Sequence, residues 1–391
     1  MALLETRVVT RTTGFWPVAF AFAVAMAFST VPAPLYPLYG YSTFTVTVIF
    51  AAYAVGVVAS LLLAGHVSDQ VGRRTILIPA LGLEIVAAVL FLSGTSLPVL
   101  LAARFITGLG VGMITATATA HLLELNGTSG ARFEIVSTAA NIGGLGLGTL
   151  VAGLLASFVD APLRTPYLIF LILLVAAVAA VASAPETVRP NPGYRYRPQR
   201  VTTGRGPAHL AAATGAFAAF SVFGFFTSVA PGFVAGTLHH PSRALAGLIV
   251  FAVFGGSAAA QTLTTGWPAR RRTTVGLTAQ ALGTIILVTG MHQASLTVFL
   301  LGGLLAAAGA GVLFKASIGT VAALATDRER GAALAGIFLI AYVALAVSAL
   351  SIGTAAQSAP VITVMTWFAV VLLALLAGVA TLHRQSSNGS V

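Results

Sequence analysis

Residues 44–64, FTVTVIFAAYAVGVVASLLLA, contain no charged side chain, and residues 65–75, GHVSDQVGRRT, follow them directly. An α-helix rises 1.5 Å per residue, so the first stretch is long enough to cross the roughly 30 Å hydrocarbon core of a bilayer. The paired arginines after it predict a turn on the cytoplasmic side, where Lys and Arg accumulate. An apolar crossing followed by a short turn is typical of a multi-pass membrane protein.

The composition of the whole chain excludes a water-soluble fold. Of 391 residues, 58% are hydrophobic and only 7% are charged, against about 25% charged in soluble domains. The mean hydropathy of +0.97 means that apolar side chains exceed what a buried core can hold. We therefore predict an all-α membrane protein with twelve transmembrane helices. Their predicted bounds are 15–37, 44–64, 75–94, 97–121, 132–157, 165–184, 208–235, 243–265, 273–291, 295–322, 331–354 and 361–382.

The arginines predict the orientation of these helices. If both termini are cytoplasmic, only Arg164 and Arg243 fall on the outside. The net charge of +11 therefore reflects membrane topology and not a nucleic-acid surface. No small-residue cleavage site precedes the first span, so we expect an uncleaved first helix. The arginines on the inside are Arg7, Arg11, Arg73, Arg74, Arg132, Arg189, Arg195, Arg197, Arg200, Arg205, Arg270, Arg271, Arg272, Arg328, Arg330 and Arg384.

One long connection, 185–207, divides the chain. Its prolines and five arginines make it too polar to span a membrane, and we predict a cytoplasmic linker between six-helix bundles at 1–184 and 208–391. A weak repeat supports this division, because the Arg-Arg-Thr at 73–75 recurs 198 residues later at 271–273. Parallel halves of this kind are a known transporter plan.

The turn after the second predicted span resembles the signature of a known family. The pattern G-x-x-x-D-R-x-G-R-R lies between helices 2 and 3 of the major facilitator superfamily, and Gln70 stands at its first arginine. The resemblance implies two six-helix halves and a role of this turn in conformational gating; the alternative is an ordinary basic loop. The matching residues are Gly65, Asp69, Gly72, Arg73 and Arg74.

The fourth predicted span contains Arg104, with Gly108 and Gly110 after it. An arginine in hydrocarbon costs about 2.5–3.5 kcal/mol on insertion scales, so it needs a partner, backbone carbonyls or a wet cavity. The spacing resembles the motif R-x-x-Q-G-x-G of proton-coupled members of the superfamily, with Thr107 in place of glutamine. The resemblance implies that Arg104 takes part in proton coupling. A structural arginine that snorkels to the outer surface is the alternative.

The fifth predicted span is rich in glycine. Gly144, Gly148 and Gly153 match the motif G-x-x-x-G-P-x-x-G-G of the antiporter branch, whereas Thr149 and Ala152 replace its proline and one glycine. Glycines four residues apart let helices approach closely, which suits a sliding contact as well as static packing. The resemblance implies a gating role, and generic packing is the alternative.

Two further ionisable residues lie inside spans. We expect Glu84, in the third span, to carry a proton for coupling; a neutral carboxyl bonded to neighbouring backbone is the alternative. We expect Lys315, in the tenth span, to face the substrate, with snorkelling as the alternative. Four polar residues are further candidates for the wall of the substrate cavity: Tyr36, Asn141, Gln261 and Tyr342.

The functional prediction is a transporter and not an enzyme. The chain has no P-loop, no G-x-S-x-G and no H-E-x-x-H, and its lack of cysteine excludes disulfides and thiolate metal sites. The resemblance implies proton-coupled efflux of a small amphipathic compound by alternating access. The proton gradient would supply the energy, and no cofactor is expected. We expect a monomer in the inner cell membrane that binds lipid and its small-molecule substrate but no nucleic acid. The alternatives are an importer of a small organic anion and a non-transporting sensor or assembly partner.

Overall fold

The computed structural model describes residues 2–64, 67–126, 130–198, 204, 206–326 and 330–388. These residues contain twelve helices that are long and apolar enough to cross a membrane, as predicted. They are α1 Gly14–Tyr39, α2 Thr43–Ala64, α3 Arg73–Ser93, α4 Leu97–Leu125, α5 Arg132–Phe158, α6 Thr165–Ser183, α7 Pro207–Ser228, α8 Arg243–Leu263, α9 Ala269–His292, α10 Leu296–Leu324, α11 Gly331–Ala355 and α12 Val361–Gln385.

Two of these helices are irregular where they approach the centre of the molecule. The α-helix of α1 ends at Thr30, and a 3-10 helix runs over Ala33–Tyr39. Proline lacks a backbone N–H, so Pro32 and Pro34 cannot continue the helical hydrogen bonds of this segment. In α5 a π-helical turn occupies Ala139–Gly143. Such turns expose backbone groups and are frequent at functional sites.

Two hydrophobic clusters make up the interior. One runs from Phe15 to Ala184 and takes in three residues of α11, Tyr342, Leu345 and Ala349. The other lies between Ala211 and Val379. Across the two clusters, α2 packs against α11 and α5 packs against α8. The predicted domain boundaries stay a prediction, and part of the predicted linker, residues 199–203 and 205, lies outside the described residues.

Candidate functional site

A cavity of about 80 Å³ lies between the two hydrophobic clusters. Helices of both clusters contribute to its wall. Five of the predicted site residues meet here: Tyr36, Arg104, Asn141, Gln261 and Tyr342. Six phenylalanines supply much of the remaining surface: Phe50, Phe220, Phe223, Phe254, Phe314 and Phe338.

Arg104 is buried in the wall of this central cavity, with 2% of its surface exposed. Its Nη1 donates a hydrogen bond of 2.6 Å to the backbone carbonyl of Ser29, and its guanidinium lies 4.3 Å from the centre of the Tyr53 ring. A backbone carbonyl and an aromatic face are both neutral partners for a cation. The guanidinium therefore keeps its positive charge at the cavity wall instead of snorkelling to a surface.

The Ser29 carbonyl can accept this bond because the α-helix of α1 ends one residue later. The last carbonyls of a helix lack an intrahelical partner and can accept a hydrogen bond from a side chain. Next to Ser29, the Thr30 hydroxyl donates to the Leu145 carbonyl of α5 at 2.6 Å. The break in α1 thus anchors Arg104 and ties α1 to α5.

Asn141 and Gln261 enter the cavity from the two facing helices α5 and α8. Asn141 belongs to the π-helical turn of α5, which the glycine motif alone did not predict. The Gln261 amide donates to the Ser257 hydroxyl at 3.4 Å. Tyr342 of α11 lies 5.6 Å from the Phe220 ring, measured between ring centres. The tyrosine and the two amides therefore give the apolar chamber a few polar groups.

Glu84 lies behind this wall and does not line the central cavity. It is fully buried, and neither carboxyl oxygen has a hydrogen-bond partner among the described residues. One oxygen packs against Gly110 of α4, where a Cβ atom would overlap it. A carboxyl buried at this depth is costly when it is ionised, and its role as a proton carrier stays a prediction.

Lys315 lies away from the central cavity, which differs from the expectation that it faces the substrate. Its ammonium donates to the Thr265 hydroxyl at 2.7 Å and to the Gln261 carbonyl at 3.1 Å, both at the end of α8. It also lies 3.6 Å from the Glu134 carboxylate at the start of α5. Lys315 therefore links α10 and α8 to α5, and its long side chain reaches the more polar end of the span.

The turn between α2 and α3 is held by ion pairs. Arg73 is buried and binds the carboxylates of Asp69 and of Glu124, the latter at 2.6 Å, as well as the Ser68 hydroxyl. Thr187 donates to the same Glu124 carboxylate. These contacts join α3, α4 and the segment after α6. Gly65, the first residue of the predicted gating set, lies outside the described residues.

Glu186 completes this cluster from the other side. Its carboxylate accepts the backbone N–H groups of Arg73 and Arg74, each at 2.9 Å, and thereby caps the start of α3. Gly72, immediately before, has a φ of +110°, which a side chain would strain. Arg74 donates to the Ala182 carbonyl at the end of α6. Within the described residues, the hydrogen bonds of this turn go to the first half of the chain and to the start of the predicted linker.

The glycines of α5 divide between two partners. Gly144 and Gly148 lie against α1, where a Cβ on Gly148 would overlap the Ala27 carbonyl. Gly153 instead faces α8, where a Cβ would lie 2.5 Å from the Arg243 carbonyl. On the facing helix α8, Gly247 packs against the Thr149 carbonyl of α5. Of the predicted glycine set, Gly153 is thus the one that packs across the two halves of the chain.

Comparison with known proteins identifies this arrangement. The model of the Major Facilitator Superfamily matches residues 18–293. The chain belongs to the major facilitator superfamily. It is therefore a multi-pass membrane transporter and not an enzyme.

Similarity to individual proteins is confined to a short segment or to a low sequence identity. Over 75 residues it is 37% identical to the multidrug resistance protein MdtL of Escherichia coli, a match that covers 19% of either protein. A crystal structure of the human organic anion transporter MFSD10 (TETRAN) is 18% identical, with a TM-score of 0.68 over 94% of this chain and 99% of that one. A bacterial homologue of the human lysosomal transporter Spinster, inward-facing and unoccupied, is 14% identical, with the same TM-score over 95% of both. At these identities, the two structures show the superfamily fold alone.

The two ends of the central cavity differ in the contacts between the halves of the chain. At one end, Arg243 donates to the Ala156 carbonyl and the Ala244 N–H to the Ser157 hydroxyl, each at 2.9 Å, so α5 and α8 are joined. Towards Asp69 and Arg73, a second and larger cavity of about 490 Å³ adjoins the first and shares Asn141, Gln261 and Tyr342 with it. We name these the closed end and the arginine-rich end. The positive-inside rule predicts that the arginine-rich end is cytoplasmic.

Several residues that contact the site or the turn at Arg73 were not predicted from the sequence. Tyr53 contacts Arg104. Glu124 and Glu134 pair with Arg73 and Lys315 at the arginine-rich end, and Glu186 accepts backbone N–H groups at the start of α3. A signal for the acids was present, because the chain has only 9 Asp and Glu against 20 Lys and Arg. An acid at the basic end of a span is therefore expected to meet an arginine or a lysine. Tyr53 had no such signal in an apolar span.

Proposed function

We propose that this transporter exports a small amphipathic organic compound across the inner cell membrane in exchange for protons. The observation that carries the proposal is Arg104, a buried cation in the wall of an aromatic chamber between the two halves. An embedded cation is costly and is retained where it serves a substrate or ion pathway. At one end α5 and α8 are joined, and at the other the chamber adjoins a larger cavity, which is the kind of asymmetry that alternating access requires of one of its states.

Efflux, the direction we favour, is supported by the local similarity to a multidrug resistance protein. The wall of the chamber suits such cargo, because aromatic side chains offer adaptable apolar surface with few orienting polar groups. If the arginine-rich end is cytoplasmic, the state described here is the one that loads cargo from the cell. Release then requires α5 and α8 to separate at the closed end.

Proton coupling is assigned to Glu84 and Arg104. The two groups interact electrostatically, although no hydrogen bond joins them among the described residues. Protonation of Glu84 would remove a negative charge from the surroundings of Arg104 and so change how strongly the cavity attracts or repels cargo. In this proposal the turn at Asp69, Arg73 and Arg74 acts as a rigid unit of the first half when the halves rock.

The test is gradient-driven flux in proteoliposomes that hold the purified protein and a pH-sensitive dye. We expect a panel of amphipathic compounds of positive, neutral and negative charge to include cargo whose movement carries protons. Arg104→Ala should reduce this flux more than tenfold, since a single lost charged partner is worth about 1.5–3 kcal/mol. Arg164→Ala, in the exposed connection before α6, is the control and should keep full flux. Full flux in Arg104→Ala would refute the proposal.

Glu84→Gln separates coupling from transport. It keeps the size of the side chain but cannot ionise, so we expect exchange of labelled for unlabelled cargo to continue while a pH gradient no longer drives accumulation. Persistence of gradient-driven accumulation in this variant would exclude Glu84 as the proton carrier and leave the export proposal to be judged on Arg104.

A second candidate function is import of a small organic anion, which the charge of Arg104 favours. The same proteoliposomes distinguish the two, because an exporter and an importer accumulate cargo in opposite directions under the same gradient. A sensor or assembly partner would give no gradient-dependent flux with any compound of the panel.

A further inference from the structure

Two polar atoms in the wall of the central cavity have no hydrogen-bond partner among the described residues: Nε of Arg104 and the hydroxyl of Tyr36. Both side chains are almost fully buried, with 2% and 4% of their surfaces exposed. They line the same cavity from α4 and α1. A buried polar group without a partner costs about 1–3 kcal/mol, and more if charged, so such a pair marks the place where a ligand atom would be stabilised.

The charge of the wall gives the sign of that ligand. Arg104 is the only charged residue among those described around the central cavity, which include no Asp and no Glu. Its neutral partners, the Ser29 carbonyl and the Tyr53 ring, leave a net positive charge at the wall. Glu84, which interacts electrostatically with Arg104, lies outside the wall and makes no hydrogen bond to the guanidinium. A cationic ligand would meet this charge in a low-dielectric space.

Apolar surface adjoins the charged group. Phe220 packs edge-on against Phe223 with ring centres 5.7 Å apart, and Phe223 stacks on Phe254 at 5.2 Å. These rings line the same cavity from α7 and α8, across from Arg104 in the other half of the chain. A ligand that fills both regions must carry an anionic group at one end and an apolar or aromatic body at the other.

We propose that the central cavity is built for an amphipathic organic anion. Its carboxylate or sulfonate accepts the free N–H of Arg104 and the O–H of Tyr36, and its body stacks on the phenylalanines of α7 and α8. This inference rests on the proposed transport function and specifies the charge of the cargo, independent of the direction of transport. Charge-assisted hydrogen bonds are about twice as strong as neutral ones, so the anionic group dominates selectivity.

The experiment compares three probes of one shape and different charge: 2-naphthoate, 2-naphthamide and 2-naphthylmethylammonium. Their binding to the purified full chain in detergent is measured by isothermal titration calorimetry. We expect 2-naphthoate to bind about tenfold tighter than the amide, as one charge-assisted hydrogen bond of about 1.4 kcal/mol would give, and the ammonium to bind weakest.

Variants assign the preference to the two groups. Arg104→Gln should bring the acid and the amide within about threefold of each other, because the charge is gone. Tyr36→Phe should weaken 2-naphthoate about fivefold and leave 2-naphthamide unchanged, since it removes one hydroxyl donor. The matched controls are Arg164→Gln, which removes an exposed charge, and Tyr41→Phe, whose hydroxyl binds the Thr95 carbonyl outside the central cavity. Both should keep the wild-type preference.

Equal affinity of the unaltered protein for 2-naphthoate and 2-naphthamide would overturn the proposal, and so would a preference that survives Arg104→Gln. If Arg104→Gln does not fold, Tyr36→Phe alone decides, because it removes a single unpaired hydroxyl. Gradient-driven flux of neutral or cationic compounds without any preference for 2-naphthoate would refute the anion site and leave the transport function intact. A preference for 2-naphthoate without gradient-driven flux would support the anion site and refute the transport function.

Discussion

The closed end and the arginine-rich end of the cavity are held by different kinds of contact. At the closed end, the main chains of α5 and α8 touch through Gly153 and Gly247. At the arginine-rich end, the two halves are joined by the ion pair of Glu134 with Lys315, at 3.6 Å and with 48% and 23% of the side chains exposed. One end therefore depends on close backbone packing with hydrogen bonds beside it, and the other on an exposed ion pair.

A rocking movement of the two halves would therefore meet more resistance at one end of the cavity than at the other. Glycine contacts bring backbones together and exclude any added atom, so they are lost as a set when the helices separate. An exposed ion pair contributes about 0–1 kcal/mol and is weakened by salt. Variants at the closed end should consequently have larger effects than variants of the ion pair.

The largest effect is expected from Gly247→Val. Its Cβ would overlap the Thr149 carbonyl, so the closed end cannot form as described. Because the chain has no cysteine, Thr227→Cys in the cavity wall supplies a unique site for maleimide. We expect Gly247→Val to raise its labelling rate from the closed end about tenfold, as a shift of about 1.4 kcal/mol between the two states would produce, and to abolish flux.

The matched control for this variant is Gly255→Val on the same helix, where no atom lies within 4 Å of the added Cβ. It should label at the rate of the protein that carries Thr227→Cys alone. The same labelling rate in both glycine variants would contradict the idea that the closed end depends on backbone contact.

The second effect concerns the rigidity of the arginine-rich end. Glu124→Gln leaves the buried Arg73 with one fewer carboxylate, which should cost about 2 kcal/mol of stability, as for other charge-assisted hydrogen bonds. We expect a fall in the thermal unfolding midpoint of several degrees, measured by tryptophan fluorescence. Glu134→Gln is the control, because its carboxylate is half exposed, and it should change the midpoint little. Equal midpoints for the two variants would show that the Arg73 cluster is dispensable.

The smallest effect is expected from the ion pair across the halves. Glu134→Gln should change the flux by at most about threefold, and raised salt should reproduce this change in the unaltered protein. The exchanged pair Glu134→Lys with Lys315→Glu should restore the original flux. Lys315→Gln should leave the preference for 2-naphthoate unchanged, since the lysine lies away from the central cavity. A loss of that preference would return Lys315 to the substrate site, as first expected from its span.

The membrane-spanning helices and part of the candidate site could be predicted from the sequence. Apolar runs at Phe44–Ala64 and elsewhere appeared as membrane helices, because hydrophobic length is a local property. Arg104 was identified as a site residue because an arginine in hydrocarbon costs free energy, and it lines the central cavity. For Glu84 and Lys315 the sequence indicates the depth in the span but not the direction of the side chain, because a span can present any face to the cavity. Their coupling and substrate roles stay predictions.

The sequence by itself determined that this chain has twelve helices long and apolar enough to cross a membrane, because hydrophobicity acts segment by segment. Only the tertiary structure decided that Arg104 meets the Ser29 carbonyl and Tyr53, that Gly153 faces α8 while Gly148 faces α1, and that Lys315 pairs with Glu134. Each of these depends on how helices rotate and pack against neighbours distant in the chain. Such packing is a property of the assembled bundle, and no single segment contains it.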